Sequence, residues 1–206
     1  IAAAVLTSWI AGVEFSLALT PQLAALYFIP ANVINLWLLR RGSTISLLGL
    51  MDFDRSRLGC DVLTGLLYQL LLFVPFGLAI NLVMLLLYGP ADMFAAFETI
   101  FIPAEASLVE FPEWFAWLSA VIIVLLFPIT NAPAEELTYR GHAQTALRQR
   151  GWTLWAAVAV ASIAFGLQHV MLAATVPGML VYAAAFMVWG AGAGLIYART
   201  GRLMPV

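Results

Sequence analysis

Long apolar runs separated by short polar segments make up this chain. A helix needs roughly 20 apolar residues to cross the core of a bilayer. Six runs approach that length and are predicted to span a membrane: Ile1–Leu19, Gln22–Leu39, Val62–Tyr88, Trp114–Thr130, Trp152–Met171 and Val176–Tyr197. No internal repeat or low-complexity linker divides them. The pattern therefore predicts an all-α fold, a polytopic transmembrane helical bundle, with residues 1–206 forming a single membrane domain.

The polar segments between these runs indicate how the bundle is oriented. Residues 40–61 have mixed charge and are expected to lie along the membrane interface, whereas residues 89–114 carry acidic side chains and no basic one. Cytoplasmic loops of membrane proteins are enriched in arginine and lysine. All nine basic residues are arginines, and the predicted topology places all of them on one side of the membrane. That side is expected to be the cytoplasmic one.

Composition supports a membrane protein and excludes several other classes. Hydrophobic residues make up 64% of the chain and charged residues only 10%, whereas a soluble domain has about 25% charged residues. The net charge of −2 gives no indication of a nucleic-acid partner. A single cysteine excludes an internal disulfide and a CxxC metal site. Membrane lipid is the expected surrounding, and neither a cofactor nor a metal is expected.

One charged cluster interrupts the apolar pattern, in the segment APAEELTYRG that ends at Gly141. Pro128 and Pro133 are predicted to break the fourth span, so that a new helix starts near the second proline. In that helix Glu136 and Arg140 are four residues apart and share a face, where they are expected to pair. Glu135 points about 100° away from Glu136 and has no local partner at helical spacing. Ionisable residues within a membrane are candidates for function by default.

A histidine further along the chain is predicted to meet Glu135. The sequence RGW at residues 150–152 is suited to the turn of a helical hairpin, and the next helix carries FGLQH, which ends at His169. Glu135 lies sixteen residues before Gly151 and His169 eighteen residues after it. Both are therefore about 24–27 Å from the turn and at the same depth. A carboxylate and an imidazole that share a water molecule are the groups required for general-base hydrolysis.

This depth places a condition on the topology. If the fourth span ends near Thr130 on the arginine-rich side, a site about 24 Å from the hairpin turn requires one of two arrangements. Either the turn projects into the cytoplasm, or the chain reverses at Pro128–Pro133. The projecting turn is the favoured prediction.

The two motifs resemble those of a known family. EELTYRG matches an EExxxR motif and FGLQH matches FxxxH, and TALRQRGW and GAGAGLIYARTGRLMPV accompany them. Residues 114–206 thus resemble the CPBP family of CAAX proteases and bacteriocin-processing membrane enzymes, also called Abi. The resemblance implies an intramembrane glutamate protease of a prokaryotic cytoplasmic membrane. It implies catalytic roles for Glu135 and His169 on water and supporting roles for Glu136, Arg140 and Phe165. It also implies no metal, and a membrane-associated peptide or protein substrate with or without a lipid group.

An alternative function stays open at this point. In the family a third motif, HxxxN or HxxxD, follows the TGxLxxP sequence and supplies groups that stabilise the oxyanion. The sequence stops at Pro205-Val206, so either the motif lies further along or the protein lacks it. The enzyme prediction therefore has a competitor. This is a non-catalytic member of the same fold that binds and stabilises subunits of a larger membrane complex.

Overall fold

The computed structural model describes residues 2–14, 20–42, 46–101 and 111–204, and these residues form helices with no β-strand among them. The α-helices are α1 (Ala2–Ala11), α2 (Thr20–Arg41), α3 (Leu47–Leu50), α4 (Leu58–Ala96), α5 (Glu113–Glu136), α6 (Thr145–Gln149), α7 (Leu154–Gln168) and α8 (Val176–Thr200). A π-helix, Leu137–Gln144, joins α5 to α6, and a 3-10 turn, His169–Leu172, extends α7. The predicted all-α fold is confirmed.

Four helical segments of the described chain are long and apolar enough to cross a membrane. They are Arg55–Ala96, Glu113–Gln149, Leu154–Leu172 and Val176–Thr200. They contain the predicted third, fourth and sixth spans, and the fifth except for Trp152 and Thr153, which precede the helix. The predicted second span falls in α2, which is not among the four. Of the predicted first span, α1 is helical, while Ile1 and residues 15–19 lie outside the described residues.

Helix α4 changes direction near its end. Gly89 has φ 72° and ψ 173°, a conformation outside the helical region, and Pro90 follows it directly. Glycine tolerates this positive φ because it has no Cβ. The kink separates the apolar part of the helix from the acidic segment, and it agrees with the predicted end of the third span at Tyr88.

The predicted helix break at Pro128 and Pro133 is wrong. Helix α5 passes through both prolines and continues through the π-helix and α6 as one helical segment of 37 residues. Prolines are tolerated in membrane helices because neighbouring helices and hydroxyl side chains satisfy the backbone groups that they free. At 1.5 Å per residue the segment is about 55 Å long, nearly twice the thickness of a bilayer core. The chain does not reverse at the prolines, which leaves the projecting turn.

The turn between α6 and α7 closes the predicted hairpin. Gly151 adopts φ +86° at this turn, and the Arg148 guanidinium donates a hydrogen bond to the Trp152 carbonyl at 2.6 Å. Helix α7 packs along α8 at small residues. A Cβ on Gly166 would stand 2.5 Å from the Ala183 carbonyl oxygen, so the two backbones approach as closely as glycine allows. This close packing sets the position of the α7 end relative to α8.

The ends of α2, α6 and α8 meet the start of α4 on one side of the bundle. Residues from the ends of α2 and α8 line one shared cavity, and residues of α6 and α8 line another. A bidentate ion pair joins Arg202 to Asp61 near the start of α4, with N–O distances of 2.6 and 2.8 Å. The arginines therefore cluster at this end, but the prediction that all nine do so is wrong for one of them. Arg140 is buried among the helices instead.

Candidate active site

A cavity of about 540 Å³ lies where the motif-bearing helices meet. Its polar wall comes from the end of α5 and from the start of the 3-10 turn after α7. Its apolar wall comes from Phe127 of α5, from α8 and from the residues that follow α8. The residues that line it include Gln69, Phe127, Asn131, Glu135, Glu136, Phe165, His169, Phe186, Trp189, Leu203 and Met204.

Glu135 and His169 face each other across this cavity. Glu135 Oε1 lies 3.7 Å from His169 Nε2, so the hairpin brings the two side chains to one level, as the helix spacing predicts. His169 Nδ1 lies 2.7 Å from the Phe165 carbonyl oxygen. A carbonyl only accepts, so Nδ1 carries the proton and donates it. In the neutral imidazole the lone pair is then on Nε2, which faces Glu135.

Glu136 and Arg140 form the predicted ion pair. Arg140 Nη1 lies 3.1 Å from Glu136 Oε1, and Arg140 Nη2 donates to the Gly190 carbonyl oxygen of α8 at 3.4 Å. The guanidinium also lies over the Phe165 ring, 4.6 Å from its centroid. Arg140 thus connects α5, α7 and α8 directly behind the cavity. A buried charge held this way stabilises one arrangement of the three helices.

Two aromatic rings fix the plane of the His169 imidazole. Phe186 of α8 stacks on it, with ring centroids 3.6 Å apart and an interplanar angle of 12°. The Phe165 ring also contacts the imidazole, in a tilted geometry with ring centroids 4.6 Å apart. The structure therefore places Phe165 next to His169, where the motif predicts it. Phe186 was not predicted, because only the packing of α7 on α8 brings it to the site.

Glu135 has hydrogen-bond partners that the sequence analysis missed. Gln168 Nε2 donates to Glu135 Oε1 at 2.6 Å, and Tyr139 donates its hydroxyl to Gln168 Oε1 at 2.6 Å. The side chain of Asn131 also hydrogen-bonds Glu135. The prediction that Glu135 has no local partner is therefore wrong. Asn131 lies one helical turn before it, and that i, i+4 spacing was a usable signal.

The motif spans a change in helix type. Glu135 and Glu136 end α5, while Tyr139 and Arg140 belong to the π-helix Leu137–Gln144. π-Helical insertions are rare and occur frequently at functional sites. Here Arg140 contacts the Gly190 carbonyl and Gln144 donates to the Gly194 carbonyl at 2.9 Å. The π-helix thus aligns two polar side chains with two carbonyls one turn apart on α8.

The polar groups of the cavity are carboxylates, an imidazole and amides. No group of three or more His, Cys, Asp and Glu side chains with the arrangement of a metal site occurs among the described residues. A carboxylate beside an imidazole lone pair accepts protons from water, which is the requirement for general-base chemistry.

Comparison with known proteins shows a similarity to one protein family. Residues 115–206 match the family described as Rce1-like, type II CAAX prenyl endopeptidase Rce1-like. This segment, called here the CAAX endopeptidase segment, is thus similar to that family. No curated protein and no solved structure matches the chain. The CAAX endopeptidase segment covers just under half of the chain, from α5 to the end.

The CAAX endopeptidase segment contains both motifs and therefore all five predicted site residues. The cavity walls extend beyond it, because Gln69 of α4 also lines the space in front of Glu135. The family and the four long apolar helices together make this a membrane protein.

Proposed function

We propose that this protein is an intramembrane endopeptidase in which Glu135 and His169 activate a water molecule to hydrolyse peptide bonds. The observation that carries the proposal is the 3.7 Å separation of Glu135 Oε1 and His169 Nε2 at the wall of a cavity. Both atoms are hydrogen-bond acceptors when the carboxylate is charged and the imidazole is neutral. Two acceptors at this distance favour a donor between them.

One water molecule fits that requirement. Hydrogen bonds of about 2.8 Å to each atom place the water oxygen opposite the pair, with an angle of about 80° at the water. The water then donates one hydrogen to Glu135 and the other to His169. Its lone pairs point away from both residues and into the cavity, which is where a substrate carbonyl is expected to approach.

The proposed reaction needs no covalent enzyme intermediate. Glu135 takes a proton from the water as the water oxygen bonds to the substrate carbonyl carbon, which gives a tetrahedral oxyanion. The second hydrogen stays on that oxygen and donates to His169 Nε2, which holds the attacking oxygen in line. The C–N bond then breaks, and Glu135 passes its proton to the leaving amine. Water is consumed, and one carboxyl end and one amine end are formed.

The surroundings favour a membrane-associated substrate. Helix α4 packs on α8, while α5 packs on α2, and the cavity lies between these two pairs with Phe127 and Trp189 on its apolar wall. A lipidated or transmembrane peptide fits such a wall better than a soluble one. We place the protein in the cytoplasmic membrane of a prokaryote, surrounded by lipid, with its arginine-rich end in the cytoplasm.

The test is cleavage in proteoliposomes of a fluorogenic CAAX peptide, supplied with and without a prenyl group on its cysteine. We expect Glu135→Gln and His169→Ala to lower kcat by about 10²- to 10⁴-fold, because the first removes the general base and the second removes the group that orients the water. Glu113→Gln and His142→Ala are the matched controls, since both residues are exposed and outside the cavity. Their kcat should stay at the wild-type level.

Two results would contradict the proposal. Cleavage that persists in both Glu135→Gln and His169→Ala would remove these residues from the chemistry. A wild type that is inert on every peptide and purifies in fixed stoichiometry with other membrane proteins would instead support the non-catalytic subunit.

A further inference from the structure

A chain of directed hydrogen bonds ends at the Glu135 carboxylate. Tyr139 donates to the Gln168 side-chain oxygen, and the Gln168 amide nitrogen donates to Glu135 Oε1, each over 2.6 Å. Gln168 is the last residue of α7, directly before His169. The Tyr139 ring is held in place by an edge-to-face contact with Phe165, with centroids 5.2 Å apart.

Only one direction of this chain satisfies all three groups. A carboxylate accepts hydrogen bonds and donates none, so Gln168 must turn its NH₂ group towards Glu135. The Gln168 oxygen then faces Tyr139, whose hydroxyl donates to it. A flipped amide would set two oxygens against each other in a partly buried site, which costs free energy. Tyr139 therefore favours the amide orientation that Glu135 requires.

This series of hydrogen bonds ends at the carboxylate oxygen of Glu135 that faces His169. Glu135 Oε1 is the atom 2.6 Å from Gln168 Nε2, and it is also the atom 3.7 Å from His169 Nε2. We infer that Tyr139 and Gln168 are positioning residues, which hold Glu135 Oε1 opposite the His169 lone pair so that both contact the same water molecule. This inference rests on the proposed hydrolytic function.

A second amide supports Glu135 from its own helix. Asn131 hydrogen-bonds Glu135, and its oxygen accepts from Asn32 Nδ2 at 2.9 Å, so the Asn131 NH₂ group is free to face the carboxylate. Because both Gln168 and Asn131 hydrogen-bond the Glu135 carboxylate, loss of Gln168 should shift the carboxylate while its contact with Asn131 remains. A misplacement of about 1 Å is enough to cost about 10²-fold in rate.

The first test measures kcat and KM of the Gln168→Leu, Tyr139→Phe and double variants on the fluorogenic peptide. We expect Gln168→Leu to lower kcat about 10- to 100-fold, with KM changed by less than about 3-fold. Tyr139→Phe should lower kcat about 3- to 10-fold, the worth of one neutral hydrogen bond. The double variant should equal Gln168→Leu, because Tyr139 acts only through Gln168.

Matched controls separate positioning from general damage. Gln149→Leu makes the same change at an exposed residue of α6, and Tyr197→Phe removes a hydroxyl that contacts Thr145 instead of the cavity. Both should keep wild-type kcat. Wild-type kcat in Gln168→Leu would overturn the inference. So would a double variant whose loss is the product of the two single losses.

The second test does not depend on activity. Structures of the wild type, Gln168→Leu and Tyr139→Phe at side-chain resolution report the distance from Glu135 Oε1 to His169 Nε2. We expect about 3.7 Å in the wild type and a carboxylate rotated away from the imidazole in Gln168→Leu. An unmoved carboxylate in both variants would overturn the inference. If the wild type is inert but Gln168→Leu shows the expected rotation, the proposed hydrolysis is contradicted and the positioning role is supported.

Discussion

Arg140 has only 1% of its surface exposed, although a guanidinium remains charged at any pH that a protein meets. Its charge is balanced by Glu136, by the Gly190 carbonyl and by the face of the Phe165 ring. Glu136 is bound to this arrangement through one oxygen. The pair therefore depends on both members, because either one alone would be an uncompensated charge among apolar helices.

Removal of one member should be worse than removal of both. We expect Arg140→Leu to lower the free energy of unfolding by about 3–5 kcal/mol, since Glu136 loses its partner. The double variant Glu136→Leu/Arg140→Leu should be more stable than the single one. Denaturant unfolding in detergent micelles measures both, with Arg150→Leu at an exposed position as the control. A double variant as unstable as Arg140→Leu would contradict this account.

Helical spacing was enough to predict some of the site. The pairing of Glu136 with Arg140 follows from their separation by four residues, and the meeting of Glu135 with His169 follows from their distances to the hairpin turn. Gln168 was not predictable in this way. It contacts Glu135 and Tyr139 at once, and only the packing of the end of α7 against α5 and the π-helix brings these three side chains together.

The helices themselves were predicted better than their interruptions. The apolar runs gave the third, fifth and sixth spans because a bilayer fixes the length of a crossing helix. The rule that proline ends a helix failed at Pro128 and Pro133, since it describes helices in water, where a freed backbone group has other partners. The π-helix after Glu136 was also missed. It is set by contacts with α8, which local sequence does not reveal.

The contact between α7 and α8 leads to a prediction about two glycines. A Cβ on Gly166 would lie 2.5 Å from the Ala183 carbonyl oxygen and 2.9 Å from the Met187 nitrogen, which are backbone atoms that cannot rotate away. We expect Gly166→Ala to lower the free energy of unfolding by about 1–3 kcal/mol and to reduce cleavage, because α7 also carries His169. Thermal unfolding in detergent is the measurement.

Gly77 provides the matched control, because it lies inside α4 with no atom within 4 Å of its added Cβ. Gly77→Ala should leave stability unchanged or raise it by up to about 1 kcal/mol, the helix preference of alanine over glycine. Equal destabilisation by the two substitutions would show that close packing at Gly166 is not the cause.

Among the described residues, the arginines other than Arg140 lie at one end of the bundle. The Arg202 guanidinium at this end has its pKa raised by the hydrogen bond and the charge of the Asp61 carboxylate, so it keeps its charge under all ordinary conditions. Arg148 lies at the same end, at the turn of the hairpin. Glu113 starts α5 at the opposite end.

Cysteine labelling in cells tests this orientation. In a Cys60→Ser background, needed because Cys60 is exposed, we expect Arg148→Cys to react with a membrane-impermeant maleimide only after the cells are permeabilised. Glu113→Cys should react in intact cells and serves as the positive control. Labelling of Arg148→Cys in intact cells would reverse the assigned sides of the membrane.

The ion pair between Asp61 and Arg202 has a consequence for protein engineering. It ties the start of α4 to the residues just before Leu203 and Met204, and these two close one side of the cavity. A transplant of residues 115–206 alone into another scaffold would leave Arg202 without its carboxylate and the cavity without Gln69. We therefore expect that a functional chimera has to exchange the two halves of the chain together.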